Sequence, residues 1–259
     1  MSKKKMKYVE PNDFVLDHDS WNYGIPKLPR MSALEFEGIY NLIPFDGKRN
    51  PSGRSTTSHK MFFPYRTAAN NWYPKIGMAE SAAEAVVGLQ GVMSKATYDV
   101  EFQPLAVQYE DENGDLRSHT YDLRLTFNTG HRRLFFVRFD ESLKLPVTAR
   151  DIKAIIAGTP RNAADEVMIV NASDYTRQRR DNILRMHYFV FHPDDEADEV
   201  LLHVARSNRA FYYMKDLFPQ APIAQPRAFA ACHRLVARGS LCAKLDNVLW
   251  ENSHLELAA

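Results

Sequence analysis

Residues 105–139 read LAVQYEDENGDLRSHTYDLRLTFNTGHRRLFFVRF. Leu105, Val107 and Tyr109 alternate with Ala106 and Gln108, the period of a strand with one buried face. Glu112-Asn113-Gly114-Asp115 then supplies the Asn-Gly pair of a tight hairpin turn. The chain returns through 116–127, with Tyr121, Leu123, Leu125 and Phe127 on one face, and turns again at Asn128-Thr129-Gly130-His131. Residues 133–139 form the next strand, so the punctuation predicts a three-stranded meander that begins near Tyr98.

Helical patterns flank the meander. On its N-terminal side, 79–93 (AESAAEAVVGLQGVM) places Ala82, Ala85, Val86, Leu89 and Met93 at three- and four-residue spacing, with Ser81 able to cap the helix. On the other side Pro146-Val147-Thr148 opens a helix whose apolar side is Ile152, Ile155 and Ile156. Helix, meander and helix make an α/β unit over about 79–158. Gly158-Thr159-Pro160-Arg161-Asn162 breaks the chain, and a domain boundary is expected near 159–172. Beyond it come a strand-like run at 167–170 and helical patterns at 174–186, 199–211 and 227–238, with a short strand at 188–192. Gly239 is the expected C-cap of the last helix, and a short apolar tail lies at 241–250. Residues 1–60 read as an irregular arm with a strand near 36–42. The expected units are therefore the arm, a domain at 61–160, and a mostly α, winged-helix-like domain at 165–259.

Composition sets the class. The chain has 259 residues, 45% hydrophobic and 25% charged, with 33 Lys and Arg against 32 Asp and Glu. That is ordinary globular usage. Two cysteines, Cys232 and Cys242, exclude a disulfide scaffold and a four-cysteine zinc module and suggest a reducing compartment, so a cytoplasmic location is expected. No apolar run reaches the length of a membrane span. The start, MSKKKMKYVEPND, has basic residues but no apolar segment after them, so no secretory signal is expected.

The near-zero net charge hides segregation. Between Lys48 and Ala79 the chain carries Lys48, Arg49, Arg54, Lys60, Arg66 and Lys75 and no acid. Arg177, Arg179, Arg180 and Arg185 crowd a second segment, and Arg227, Arg234 and Arg238 a third. Acid gathers at 110–115 and in the run Asp194, Asp195, Glu196, Asp198, Glu199. Segments of one sign suit a polyanionic partner, because phosphate neutralisation is the main sequence-independent source of nucleic-acid affinity. Arg54, Lys60, Arg66, Lys75, Arg177, Arg179, Arg180, Arg234 and Arg238 are thus the candidate DNA contacts, with Arg227, Arg234 and Arg238 facing DNA or an acidic partner. The aromatics Phe62, Phe63, Tyr65, Trp72 and Tyr73 within the first basic stretch either pack on the core or stack on DNA.

Metal-dependent nucleases hold one or two divalent ions with carboxylates and place a cation near the attacking water. A recurring frame puts one acid on a helix, a second at a strand, and an acid-x-Lys pair on the neighbouring strand. Glu84 lies on the amphipathic helix, and Asp122 lies mid-strand between Tyr121 and Leu123, where Asp is depleted. The histidines show no metal spacing, and His187 and His192 read as structural. Neither a Gly-x-x-x-x-Gly-Lys loop nor a Gly-x-Ser-x-Gly elbow occurs, so no nucleotide is expected to bind this chain itself.

ESAAEAVVGLQGV at 80–92 and YDVEFQPLAVQYEDENGDLRSHTYDLRLTFNTGHRRLFFVRF at 98–139 together resemble the nuclease domain of TnsA-type proteins. RAFAACHRLVARGSLCAKLDNVLWENSHLEL at 227–257 resembles that family's ending. These proteins are endonuclease subunits of heteromeric transposases, with a restriction-endonuclease-like PD-(D/E)xK fold. Ser81 and Glu84 match the family's helix motif, Gln103-Pro104 its second element, and Thr120-Tyr121-Asp122-Leu123 its third, with Tyr121 where Pro is frequent. The resemblance implies an α/β restriction-endonuclease-like domain followed by a winged-helix-like one. It implies Mg²⁺ or Mn²⁺ at Glu84 and Asp122, with Gln103 in support. Double-stranded DNA, a DDE-type transposase and an AAA+ regulator are the implied partners. The fourth element departs from the pattern: the Glu/Gln-x-Lys position falls on Phe136-Val137-Arg138, leaving Arg138 as the cation and Asp140 as a substitute ligand if the register slips. Two functions are consistent with this, metal-dependent nicking of the 5′ ends of a mobile element, or a non-catalytic assembly protein of the same fold. A winged-helix regulator with a small-molecule pocket in its first domain is a third.

Overall fold

The computed structural model describes residues 41–50, 60–208 and 211–258. Arg54 and most of the strand expected near 36–42 lie outside these residues. Helix α1 (Ala82–Met93) starts where Ser81 Oγ accepts the Glu84 N–H at 3.2 Å, the N-cap the sequence offered. It is buried almost all round, between a sheet on one side and other helices on the other. That packing needs Gly88: a Cβ there would stand 2.4 Å from the Phe102 ring.

The sheet joins β3 (Thr97–Phe102), β6 (Leu123–Phe127), β7 (Arg132–Arg138) and β8 (Glu166–Asn171), in that order. β3, β6 and β7 run antiparallel; β8 lies parallel to β7 after a crossover through α2 (Asp140–Leu143) and α3 (Pro146–Gly158). The expected meander is thus present but interrupted. Gln103, at φ 52, and the following Pro104 turn the chain out of the sheet after β3. The segment between becomes a separate hairpin of β4 (Ala106–Glu110) and β5 (Leu116–Thr120), which rejoins the sheet through Tyr121 and Asp122. A second hairpin, β1 (Met61–Tyr65) with β2 (Lys75–Ala79), precedes α1. Its Phe63 and Tyr65 enter the core, while Phe62, Trp72 and Tyr73 stay exposed.

Strand β7 is buried on both faces, the usual lot of a strand with a parallel neighbour. Phe135 and Val137 join α1 in the main core; Leu134 and Phe136 pack with Ile152 and Ile155 of α3 in a second one.

Two expectations need correction. The break at 158–162 is only the loop between α3 and β8, and β8 pairs with β7 from Glu166 to Asn171. No domain boundary therefore falls between residues 160 and 165. Helices α4 (Arg177–Phe191), α5 (Asp195–Ser207) and α7 (Gln225–Ala237) also share one continuous core with α1 and the sheet, through Ile183, Leu201 and Leu235. The second correction concerns 188–192, which is no strand but the end of α4. Ile183, Met186, His187 and Val190 recur at helical spacing, and burial of that stripe carries the helix to Phe191. A short helix, α6 (Met214–Leu217), precedes α7, and a small ribbon of β9 (Leu241–Cys242) with β10 (Glu256–Leu257) closes the chain. Among the described residues no helix is long and apolar enough to cross a membrane.

Candidate functional site

The frame brings Glu84 and Asp122 together. Asp122 sits where the hairpin rejoins the sheet: its N–H donates to the Phe135 carbonyl at 3.2 Å, and its carbonyl accepts the Gln103 N–H at 3.0 Å. Its carboxylate Oδ2 accepts the Val137 N–H at 2.7 Å and Arg138 Nη1–H at 3.1 Å. Arg138 folds back over the Phe136 ring, 4.1 Å from its centroid. Glu84 accepts from the Glu80 N–H and the Ser81 hydroxyl, both at 3.0 Å, so the first turn of α1 holds its carboxylate in place.

Both acids are buried, and that sets their protonation. Burial raises Glu84 to about 7, with the Asp122 charge adding to the effect. Burial raises Asp122 to about 6; Arg138 and the Val137 N–H oppose it, and Glu80 reinforces it. Two mutually repelling buried carboxylates are what a bound cation would relieve, and such pairs cluster at functional sites. Gln103 adds a further signal: its Oε1 is buried without a hydrogen-bond partner.

These residues fit a magnesium ion of the kind held by one or two carboxylates with waters completing its octahedron. They do not make a cage, since among the described residues no group of three or more His, Cys, Asp or Glu is arranged to hold a metal. Asp140 supplies no third ligand. It opens α2, one residue beyond Phe139, and pairs with Lys144. Phe136 is not an exposed remnant of a ligand position but a core residue, stacked 4.6 Å from His119.

Three residues at the site escaped the sequence reading. Glu80 and Arg49 form an ion pair at 2.9 Å beside the carboxylates. His119 is driven down to about 4 by burial and by the charges of Arg138 and Arg49, so it is neutral at pH 7. Only the four-residue step from Glu80 to Glu84 could have pointed to the first of them.

The candidate DNA contacts divide. Arg177, Arg179 and Arg180 lie together on the first turn of α4; Arg177 is exposed, and Arg179 stacks 5.0 Å over Tyr175. Lys60 precedes β1 and is half-buried. Arg66 donates to the Phe191 carbonyl and covers its ring at 4.2 Å. Lys75 is buried against Asp46 at 2.9 Å. The basic stripe of α7 does not face outward as expected. Arg227 binds Asp194 and Glu196, and Arg234 and Arg238 bind Asp198 at 2.7 and 2.9 Å. The acidic run of α5 is thus the partner of these arginines.

A cleft of about 740 Å³ opens between the end of α1 and helices α4, α5 and α7, with Arg66, Trp72, Lys95 and Glu199 on its walls. It lies outside the sheet and is partly charged, which gives no support to a small-molecule sensor. Compared with models of known protein families and with curated proteins, the chain matches none.

Proposed function

We propose that this chain is a TnsA-like, restriction-endonuclease-like subunit of a DNA transposition machinery that nicks the 5′ ends of a mobile element beside a DDE-type transposase. One observation carries the reading: Glu84 from a helix and Asp122, which lies in the bend between β5 and β6 and not mid-strand as expected, are buried within electrostatic reach of each other, with Arg138 of β7 3.1 Å from Asp122. Folding pays for such an arrangement, and function is the usual reason. The resemblance in motif order, the β3-β6-β7-β8 sheet and the three helices with a terminal ribbon support it further.

Mg²⁺ or Mn²⁺ held by Glu84 and Asp122 would supply an activated water and charge neutralisation at the scissile phosphate. Hydrolysis there would join a water oxygen to phosphorus as the bond from phosphorus to the leaving sugar oxygen broke, the water's lost proton ending on that sugar oxygen. Arg138, beside Asp122, would stabilise the extra negative charge of that transition state. The backbone N–H of Val137 fixes the Asp122 carboxylate, and the Ser81 cap fixes Glu84, so neither acid has to be ordered by the substrate.

The second reading, an assembly protein that bridges DNA, transposase and an AAA+ regulator without hydrolysis, is favoured by one observation: Arg138 already neutralises Asp122. Calorimetric titration of Mn²⁺ into the protein with a short duplex separates the two. Binding near one equivalent, lost in Glu84→Gln, together with nicking of end-labelled duplex once the transposase is added, is the expected result. No metal binding and no nicking would leave the assembly reading.

A further inference from the structure

We propose that β8 is a pairing edge for a second copy of this chain, the two β8 strands running antiparallel about a two-fold axis at Ile169 and joining two four-stranded sheets into one. The inference concerns the rim of the sheet and does not depend on what the Glu84–Asp122 site does.

The two rims of the sheet differ. Among the described residues β8 pairs with β7 alone and β3 with β6 alone, so these strands end the sheet. Natural edge strands are guarded by charge, proline or a bulge, because an open strand otherwise recruits another. β3 carries two of these guards: Asp99 and Glu101 interrupt its apolar residues, and its register shifts between Thr97 and Asp99. β8 has neither in Val167-Met168-Ile169-Val170, an uncharged run that lies in regular register from Glu166 to Asn171. Ile169, in its middle, is 46% exposed. A strand of this kind left in water invites aggregation, and a defined partner removes that hazard.

The ladder shows which backbone groups are free. The Phe127 N–H donates to the His131 carbonyl at 2.9 Å, so that pair is a hydrogen-bonded one. Alternation down the antiparallel ladder then points Arg133 and Phe135 at β6, and Leu134 and Phe136 at β8. In a parallel pair a residue bonds to the two neighbours of the residue opposite it, and the opposite residue points away. Val167 and Ile169, opposite Leu134 and Phe136, therefore turn their N–H and C=O groups to the open rim, with Asn171 next in that series.

This rim fits its own copy. Antiparallel pairing sets outward-pointing residues against each other, so an axis at Ile169 places Ile169 against the partner's Ile169 and Val167 against the partner's Asn171. Met168 then meets the partner's Val170. Apolar side chains oppose apolar ones at the centre, no charge faces a like charge, and about six ladder hydrogen bonds form. Glu166, the one charged residue of β8, is already paired with Arg133 at 2.7 Å.

Sedimentation velocity of the full chain over about a hundredfold range of concentration tests this, with wild type and Ile169→Lys. Wild type should show a monomer–dimer equilibrium. Ile169→Lys sets like charges directly opposite at the axis and should raise the dissociation constant at least about tenfold, with an unchanged circular dichroism spectrum. A second measurement fixes the register, in a Cys242→Ser background because Cys242 is exposed. Ile169→Cys should form a disulfide-linked dimer under mild oxidation, since opposite Cα atoms about 5.5 Å apart suit the bond. Val167→Cys should not, because four positions, about 13 Å, separate it from its own copy along the seam. A wild type that stays monomeric, whether another segment covers β8 or β8 awaits a foreign strand, would overturn the proposal. So would a dimer that Ile169→Lys leaves intact, or equal cross-linking through Val167→Cys. Should the lysine variant fail to fold, the two cysteine variants still decide.

Discussion

Asp198→Ala is expected to cost about 3–5 kcal/mol of stability, the range for removing one partner of a buried ion pair. Arg234 is 2% exposed and bonds Asp198 through Nε at 2.7 Å, while Arg238 takes the other carboxylate oxygen at 2.9 Å. Without Asp198 a guanidinium charge stays in the core with little to meet it but the Asp194 carbonyl at 3.4 Å. For a chain of this size the loss corresponds to a fall in Tm of about 10 °C, readable by calorimetry or urea unfolding. The pair itself adds little net stability. Burial raises the Asp198 pKa despite two neighbouring arginines, so desolvation exceeds what they return. Replacing both partners, as Asp198→Leu with Arg234→Met, should therefore recover most of the loss. A single variant within 1 kcal/mol of wild type would mean that water reaches Arg234 and the pair is no part of the core.

This pair also marks where sequence reading stopped. Arg227, Arg234 and Arg238 stand at steps of seven and four residues on one helix face, which they share with the buried Ala231. Asp194 and Asp198 stand four apart on another helix. The complementarity was legible, but charged residues are normally taken to face water, and that prior hid it. The sheet was legible for the opposite reason: alternation and Asn-Gly punctuation are local signals, and both turns form where the residues place them. What they could not show was that Gln103 and Pro104 turn the hairpin away, or that β8 crosses the expected boundary. Both depend on partners distant in sequence, and parallel pairing leaves no turn to read. Of the site, Glu84 and Asp122 were visible as acids in unusual company. Glu80 and Arg49 were not, because their relation to Asp122 exists only once residues 43–48 are laid along β2 and the end of β3.

If the chain nicks DNA as proposed, Asp122→Asn should reduce that nicking by about 10²–10³-fold, the loss typical of removing one preorganised electrostatic group from an active site. Asn keeps an oxygen for the Val137 N–H, so the local backbone need not move; the charge that would hold a cation, and that pairs with Arg138, disappears. The same substitution should stabilise the metal-free protein at neutral pH. A carboxyl whose folded pKa lies above its unfolded value binds protons more tightly when folded, so its contribution is fullest below about pH 4 and is lost as pH rises through about 6. The difference in unfolding free energy between Asp122→Asn and wild type should therefore grow in the variant's favour between about pH 4 and pH 7, and urea titrations at both ends measure it. Cleavage within tenfold of wild type would remove Asp122 from the reaction. A variant less stable at neutral pH would show that the Arg138 pair, and not burial reinforced by Glu80, dominates the resting site. Lost activity with gained stability is the combination expected of a carboxylate that the fold tolerates only for its chemistry, since a purely structural acid would lose stability on the same change.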